Sequence, residues 1–319
     1  MSLECQILIA VALDLIIGDP RWFPHPVKLM GKLAIGLEPR FRAIIQRPRV
    51  AGGATACTVI ATTAVCAAGL VISFRSVHQL AGDFMSIFLI YSGIAARDMV
   101  DHSTKVYEAL KAGALEDARL GVAMICGRDT DQLDEARIVR ATIESVAENA
   151  ADGVISPLFY AVIGGPIAIM AYKAVNTLDS TFGYKCPKYL EFGWFSARLD
   201  DLANFIPARL TGILIPVAAL ILNLNAAQSY RIFTRDRLRH PSPNAGQAEA
   251  AMAGALGIQL GGLSYYDGKP SNKPTLGAPL TAPKIEHIRE ADRLLLVASG
   301  LALALLLGIR FAFTREFGL

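Results

Sequence analysis

Charged and apolar positions fall in blocks along this chain. Val50–Phe74 carries no Asp, Glu, Lys or Arg over 25 positions, Leu210–Tyr230 none over 21, and Gly153–Tyr172 none over 20. A helix needs about 20 such residues to cross the hydrocarbon core of a bilayer, so all three qualify by length. Leu294–Ile309 is shorter but rich in Leu and Ala, while Leu3–Ile17 and Phe84–Ala96 are marginal, short spans or buried helices. The pattern predicts an all-α, polytopic integral membrane protein with polar cytoplasmic helices and loops. Its apolar segments lie at about 3–17, 50–74, 84–96, 153–172, 210–230 and 294–309. Pro157 and Gly164-Gly165-Pro166 interrupt one of them; Pro216, Asn223 and Asn225 interrupt another. Broken segments are tolerated at membrane depth where they line a protein cavity, which favours re-entrant or part-buried segments at both places.

The connections 21–49, 97–152, 173–209 and 231–293 hold 7, 7, 5 and 9 Lys plus Arg. The positive-inside rule then gives no alternation of sides, and every long connection reads as cytoplasmic. Arg75–Asp83 is the one poorly charged turn, which makes 50–74 and 84–96 a helical hairpin. The whole of 1–319 reads as one membrane-embedded domain with polar blocks at about 14–49, 97–152, 173–209 and 231–293. A helix is predicted over Leu133–Ala151, capped by Asp129 with Gln132 three positions on, and ended by Gly153.

Composition supports this picture. Of 319 residues, 53% are apolar and 18% charged, against about 25% charged in an ordinary soluble domain. Intrinsic disorder is excluded, and a net charge of +3 leaves no field for nucleic acid. Five cysteines without CxxC spacing indicate neither a disulfide framework nor a metal site. The N-terminus lacks a basic region and an A-x-A site, so no cleaved signal is expected. The charge that is present is concentrated: 97–152 holds 12 of the 28 carboxylates.

Candidate chemistry sits in these polar blocks. Glu144, Glu148 and Asp152, at i, i+4 and i+8, would form a carboxylate ladder with Asn149 beside it, suited to Mg²⁺ shared with phosphate. A solvated helix face, helped by an Arg140–Glu144 pair, is the plainer alternative. Lys173, Asn176 and Asp179 recur every three residues and could grip phosphate and position a nucleophile. A snorkelling lysine is the alternative for Lys173. Arg198, Asp200 and Asp201 follow, the two acids pointing about 100° apart on a helix. Asp19 and His25 lie in a turn-rich exit from the first apolar segment. His240, Ser242 and Asn244 lie in a stiff loop after a basic cluster that could equally be a membrane anchor. P-loop, HExxH, GxSxG and GxGxxG signatures are absent from the sequence.

Read together, LDLIIGDPRWFPHPVKLMG, GRDTDQLDEARIVRATIESVAENAADGVISPLFY, YKAVNTLDSTFGYK, FGWFSARLDDLANFIPARLT, HPSPNAGQAEAAMAGALGIQLGG and Tyr266 resemble the adenosylcobinamide-phosphate synthase family. These are the CobD/CbiB proteins of cobalamin biosynthesis, and the resemblance runs from Asp14 to about Gly277. Arg97-Asp98-Met99 ahead of His102 departs from the family pattern, which more often has an uncharged residue after the arginine.

The resemblance implies a membrane carbon–nitrogen ligase. It would join (R)-1-aminopropan-2-ol, as its O-phosphate, to the free propionate carboxylate of adenosylcobyric acid, using ATP and Mg²⁺. An acyl phosphate would activate the carboxylate. On the motif positions, Glu144, Glu148 and Asp152 would hold Mg²⁺ with Asn149 assisting. Arg128, Lys173 and Arg198 would contact phosphate, and Asp179, Asp200 or Asp201 would be the general base, with Asn176 beside them. Asp19, His25, His102, Asp129, His240, Ser242 and Asn244 would shape the ligand pocket. Implied partners are the corrinoid, aminopropanol phosphate, membrane lipid and other membrane enzymes of cobalamin assembly. Competing readings are a Mg²⁺-dependent transferase of a lipid or isoprenoid phosphate, an AmpE-like membrane sensor and a transporter. The sequence lacks the NDxxD and DGxxAR clusters of such transferases, and it retains every polar block.

Overall fold

The computed structural model describes residues 1–19, 25–184 and 186–317. Pro20–Pro24 and Lys185, which belong to two of the quoted motifs, lie outside the described residues. The chain divides into two compact units: Met1–Ala95, Ser156–Asn204 and Leu306–Leu319 form one, Ala96–Ile155 and Phe205–Leu305 the other.

The first unit contains α1 (Leu3–Ile17), α2 (Pro26–Ile44), α3 (Pro48–Val77), α4 (Gln79–Tyr91), α8 (Ser156–Phe182) and α9 (Trp194–Ala203). Its packing centres on α3, which meets α2, α4, α8 and α9. A Cβ at Gly52 would fall 1.8 Å from the Phe192 carbonyl oxygen, so glycine is what lets α3 approach there. The expected pairing of 50–74 with 84–96 is present as α3 against α4, joined through the single extended residue His78. The His78 ring caps α4 by accepting from the Leu80 N–H at 3.2 Å. The expected break in α8 is also present. Gly164 and Gly165 leave helical geometry, Gly165 with φ of 61°, and Pro166 follows.

The second unit contains α5 (Ala96–Lys111), α6 (Leu115–Ala123), α7 (Glu135–Asn149), a π-helical turn (Ala150–Ile155), α10 (Phe205–Ile221), α11 (Ala226–Asp236) and α12 (Ala245–Leu256). A hairpin of β1 (Gln259–Tyr266) and β2 (Lys269–Gly277) follows. The last helix, α13 (Glu286–Phe317), starts in this unit. Every residue of α12 is buried. Its Ala and Gly content makes this possible: a Cβ at Gly254 would fall 2.6 Å from the Gln228 carbonyl oxygen of α11.

Four sequence expectations are corrected here. The α7 helix runs from Glu135 with Asp134 as its cap, accepting from the Arg137 N–H at 2.8 Å; Asp129 is not the cap. Gly153 does not end it, because the chain continues through the π turn. Pro216 does not break α10, which runs through it; of the expected interruptions in Leu210–Tyr230 only Asn223, with a positive φ, and Asn225, which caps α11, separate the two helices. The polar block 231–293 holds an antiparallel hairpin, so among the described residues the regular structure is helical except for this pair of strands. Its tip, Asp267-Gly268, has φ of 50° and 71°, the signs a two-residue I′ turn requires.

Among the described residues, four helical stretches are long and apolar enough to cross a membrane: Pro48–Val77, Gln79–Lys111, Glu135–Phe182 and Glu286–Glu316. A fifth is present if Trp194–Ala203 and Phe205–Ile221 form one bent span.

Candidate active site

In the second unit, α7 presents Glu144 to the hairpin. The Gly261 N–H donates to Glu144 Oε1 at 2.7 Å, and Arg128 Nη2 donates to Oε2. Gly261 has φ of 82° and sits at the bulge between Leu260 and Gly262, which turns its N–H toward the helix. Arg128 also reaches Ser264 Oγ at 3.4 Å. Both side chains of the Arg128–Glu144 pair are buried. Arg128 therefore ties the hairpin to α7.

One turn on, Glu148 keeps an exposed side chain while feeling the charges of Lys273, Arg128 and Glu144. Glu249, from the buried helix α12, joins the same group. Burial, then the Glu144 and Glu148 carboxylates, push its carboxyl well above the usual carboxylate range. Burial pulls the Lys273 ammonium down, but Tyr266 and the three glutamates outweigh this and hold it above its ordinary value. The cluster thus sets three carboxyl groups against two cations.

A second ring of contacts steadies it. The Ser242 N–H donates to His240 Nδ1 at 3.0 Å, closer than the 3.3 Å to the Ser242 carbonyl oxygen. A neutral imidazole then carries its proton on Nε2, which faces Glu249 Oε1 at 3.8 Å. Ser242 Oγ accepts from the Asn244 and Ala245 N–H groups, so this hydroxyl caps α12. Asn244 Oδ1 accepts from Arg209 at 3.4 Å. Asp129 holds the hairpin tip: its carboxylate accepts from the Asp267 and Gly268 N–H groups at 3.1 and 2.8 Å, and its own N–H donates to the Tyr265 carbonyl at 2.8 Å.

The expected ladder of Glu144, Glu148 and Asp152 is not formed as an ion cage. Among the described residues, no three His, Cys, Asp or Glu side chains gather to hold a metal. Two physical reasons apply. Both Glu144 oxygens already have donors, and Asp152 lies in the π turn, whose wider repeat breaks the i, i+4, i+8 register. Asn149 Nδ2 donates to the Ser145 carbonyl at 2.9 Å on its own helix. His102 is 3.7 Å from Asp98, also on its own helix.

The remaining candidates belong to the first unit, where a separate polar centre forms around Asn204. Ser156 Oγ and the Tyr172 hydroxyl donate to Asn204 Oδ1 at 2.6 and 2.9 Å, and Asn204 Nδ2 donates to Asp200 Oδ2 at 3.0 Å. Asn176 Nδ2 reaches Asp200 Oδ1 at 3.5 Å. Tyr172 stacks on Tyr160 at 4.9 Å between ring centroids, and the Tyr160 hydroxyl donates to the Ala203 carbonyl. Lys173 is buried on α8, and Asp179 lies further along the same helix, half-buried. Asp201 pairs at 3.3 Å with an exposed Arg198. Asp19 lies 3.5 Å from His25.

The family profile of the CobD/Cbib protein matches residues 7–295. The chain belongs to the CobD/CbiB family. Among its relatives, the cobalamin biosynthesis protein CobD of Leptospira interrogans is 47% identical over 92% of this chain and 93% of its own. That of Geobacter metallireducens is 50% identical over 86% of both chains. The cobalamin biosynthesis protein CbiB of Salmonella typhimurium is 42% identical over 95% of this chain and 96% of its own. No solved structure matches the chain.

Three residues escaped the sequence reasoning, Glu249 and Lys273 of the Glu144 cluster and Asn204 of the first unit's polar centre. Glu249 is the one carboxylate in an Ala- and Gly-rich helix, a signal visible in GQAEAAMAG. Lys273 sits on a strand predicted as helix or loop; Asp267-Gly268 between aromatic and Lys-Pro flanks was its signal. Asn204 stands four residues after Asp200, the i+4 spacing that lets the two side chains meet.

Proposed function

We propose that this CobD/CbiB protein acts in cobalamin biosynthesis as an adenosylcobinamide-phosphate synthase, a carbon–nitrogen ligase. It joins the amino group of (R)-1-aminopropan-2-ol O-phosphate to the free propionate carboxylate of adenosylcobyric acid and consumes ATP. Family membership over residues 7–295 carries this reading. The buried group of acids and cations around Glu144 supplies a place for phosphate chemistry. The polar blocks face the cytoplasm, and the apolar helices hold the protein in the cell membrane beside other enzymes of cobalamin assembly.

A carboxylate and an amine do not condense unaided in water. A carboxylate oxygen of the corrinoid attacks the γ-phosphorus of ATP, and ADP leaves. The amine then attacks the acyl carbon, and phosphate departs with that carboxylate oxygen. Of the three acids considered as base, Asp200 is the buried one, and two amides hold its carboxylate.

Mg²⁺ accompanies ATP in such reactions, and the donor set around Glu144 fits one ion. Mg²⁺ is usually held by one or two carboxylates and completed by water and phosphate. Glu148 is accessible, and burial together with the neighbouring Glu144 and Glu148 charges raises the Glu249 carboxyl. Glu148 and Glu249 would hold the ion, which when bound neutralises polyphosphate charge. Arg128 and the Gly261 N–H fix Glu144, His240 faces Glu249 with an N–H, and Lys273 balances the charge that remains.

The test is mass spectrometry of detergent-solubilised, folded protein incubated with ATP, Mg²⁺, adenosylcobyric acid and aminopropanol phosphate. The corrinoid gains the aminopropyl phosphate mass. An unchanged corrinoid mass would overturn the reading.

A further inference from the structure

Beside the glutamate cluster, the second unit has an open cavity of about 480 Å³ whose lining includes Asp134, Arg137, Arg140, Gln259, Thr281 and Pro283. Arg137 and Arg140 stand three apart on α7 and so share one face. Asp134 is the single acid of the lining. It is already engaged, accepting from the Arg137 N–H at 2.8 Å and lying 3.5 Å from Arg137 Nε. Arg140 Nε is shut away from solvent and, among the described residues, donates to no acceptor. A buried donor without an acceptor is unfavourable, and an anionic ligand oxygen would relieve it.

The cavity also has a defined position relative to the cluster. Arg140 is one helical turn before Glu144 on the same helix. A Cβ at Gly262 would come 3.7 Å from Arg140 Nη1, while the neighbouring Gly261 N–H holds Glu144. Both glycines belong to β1, and Gln259 at the start of that strand closes the cavity wall. The rim from Pro279 to Pro283 offers carbon surface for the body of a small molecule.

We infer that this cavity is a phosphate-binding subsite, in which Arg137 and Arg140 grip the phosphoryl group of a phosphate ester. Paired guanidinium groups suit phosphate because their planar forks present parallel N–H donors. Gln259 and Thr281 add neutral donors. The phosphoryl group could come from a nucleotide or from an amino-alcohol phosphate, which share this chemistry. Only the identity of the carrier rests on the function proposed above; phosphate binding itself does not.

Isothermal titration of the full chain in detergent with inorganic phosphate, a non-hydrolysable ATP analogue and aminopropanol phosphate tests the inference. Saturable phosphate binding is expected, weakened tenfold or more by Arg140→Ala and by Arg137→Gln, and less by Arg140→Lys. Whichever ester displaces inorganic phosphate at the lower concentration is the carrier. Arginine-directed dicarbonyl labelling of the unaltered protein, mapped by mass spectrometry, needs no variant: phosphate should protect Arg137 and Arg140 at least threefold. Absent protection, or phosphate binding unchanged in folded Arg140→Ala, overturns the subsite even if amide formation proceeds. Protection and weakened variant binding in a protein that forms no amide would leave the subsite standing and remove the ligase reading.

Discussion

Arg310 Nη1 donates at 2.8 Å to the carbonyl oxygen of Val162, beside the point where Gly164, Gly165 and Pro166 break α8. Pro166 has no N–H, so it cannot supply the helical donor that Val162 would otherwise receive. Arg310 supplies one and also donates to Glu4 Oε1 at 2.7 Å through Nε. An arginine in an apolar helix is costly unless paired, and here both ends of its guanidinium are used. Arg310→Leu should lower stability by about 1–3 kcal/mol, the cost of leaving a buried carbonyl unsatisfied. Thermal unfolding in detergent checks this, and an unchanged midpoint would show that water satisfies Val162.

The Arg128–Glu144 pair should behave as a buried ion pair. Removing one partner of such a pair typically costs about 3–5 kcal/mol, whereas replacing both with apolar groups costs far less. Arg128→Met should therefore destabilise the protein strongly, and the double variant Arg128→Met with Glu144→Met should regain much of the loss. Hydrogen exchange at the Gly261 amide should accelerate in both, since each disturbs its acceptor.

Asn204 is a hub for three buried side chains. Asn204→Ala removes the partner of Ser156, Tyr172 and Asp200 at once, at about 1–3 kcal/mol for each hydrogen bond left unmade. Asn204→Asp keeps the shape but sets a carboxylate against Asp200. Its unfolding midpoint should rise as pH falls and the new acid is protonated; a flat pH response would contradict this.

Asp236 should set an acid limit on stability. Burial alone would raise its carboxyl. The hydrogen bond from Arg235, the Gly277 N–H at 2.9 Å and the charges of Arg235 and Arg239 outweigh burial and hold it below the usual range. A depressed carboxyl stabilises the fold above its unfolded value of 3.8, and that contribution is lost as pH falls through the folded value. Unfolding curves of Asp236→Asn should show lower stability at pH 7 and a shallower loss between pH 5 and 3 than the unaltered chain.

The apolar helices were legible because their signal is local. The limits Leu3–Ile17 coincide with α1, where Ser2 caps the start and Gly18, with φ of 64°, ends it. The Gly164-Gly165-Pro166 break was readable for the same reason. Features set by packing were not. α12 lies in a block read as polar, yet it is buried throughout, because Ala and Gly carry little hydropathy and gain burial by close approach. Glu249 was hidden with it. Asp129 has the right chemistry for a cap, but tertiary structure gives it the hairpin tip to hold and leaves the capping to Asp134. The metal ladder failed as an ion cage at the π turn, a backbone choice that the i+4 spacing of the acids does not encode.

The proposed ligase drives amide formation with ATP through an acyl phosphate. Adenosylcobyric acid labelled with ¹⁸O in its free carboxylate, incubated with the purified protein, ATP, Mg²⁺ and aminopropanol phosphate, tests it in one reaction. Mass spectrometry should find the amide product retaining one labelled oxygen and the released inorganic phosphate carrying the other. Amide product with unlabelled phosphate, or no amide product from folded protein, would contradict the account.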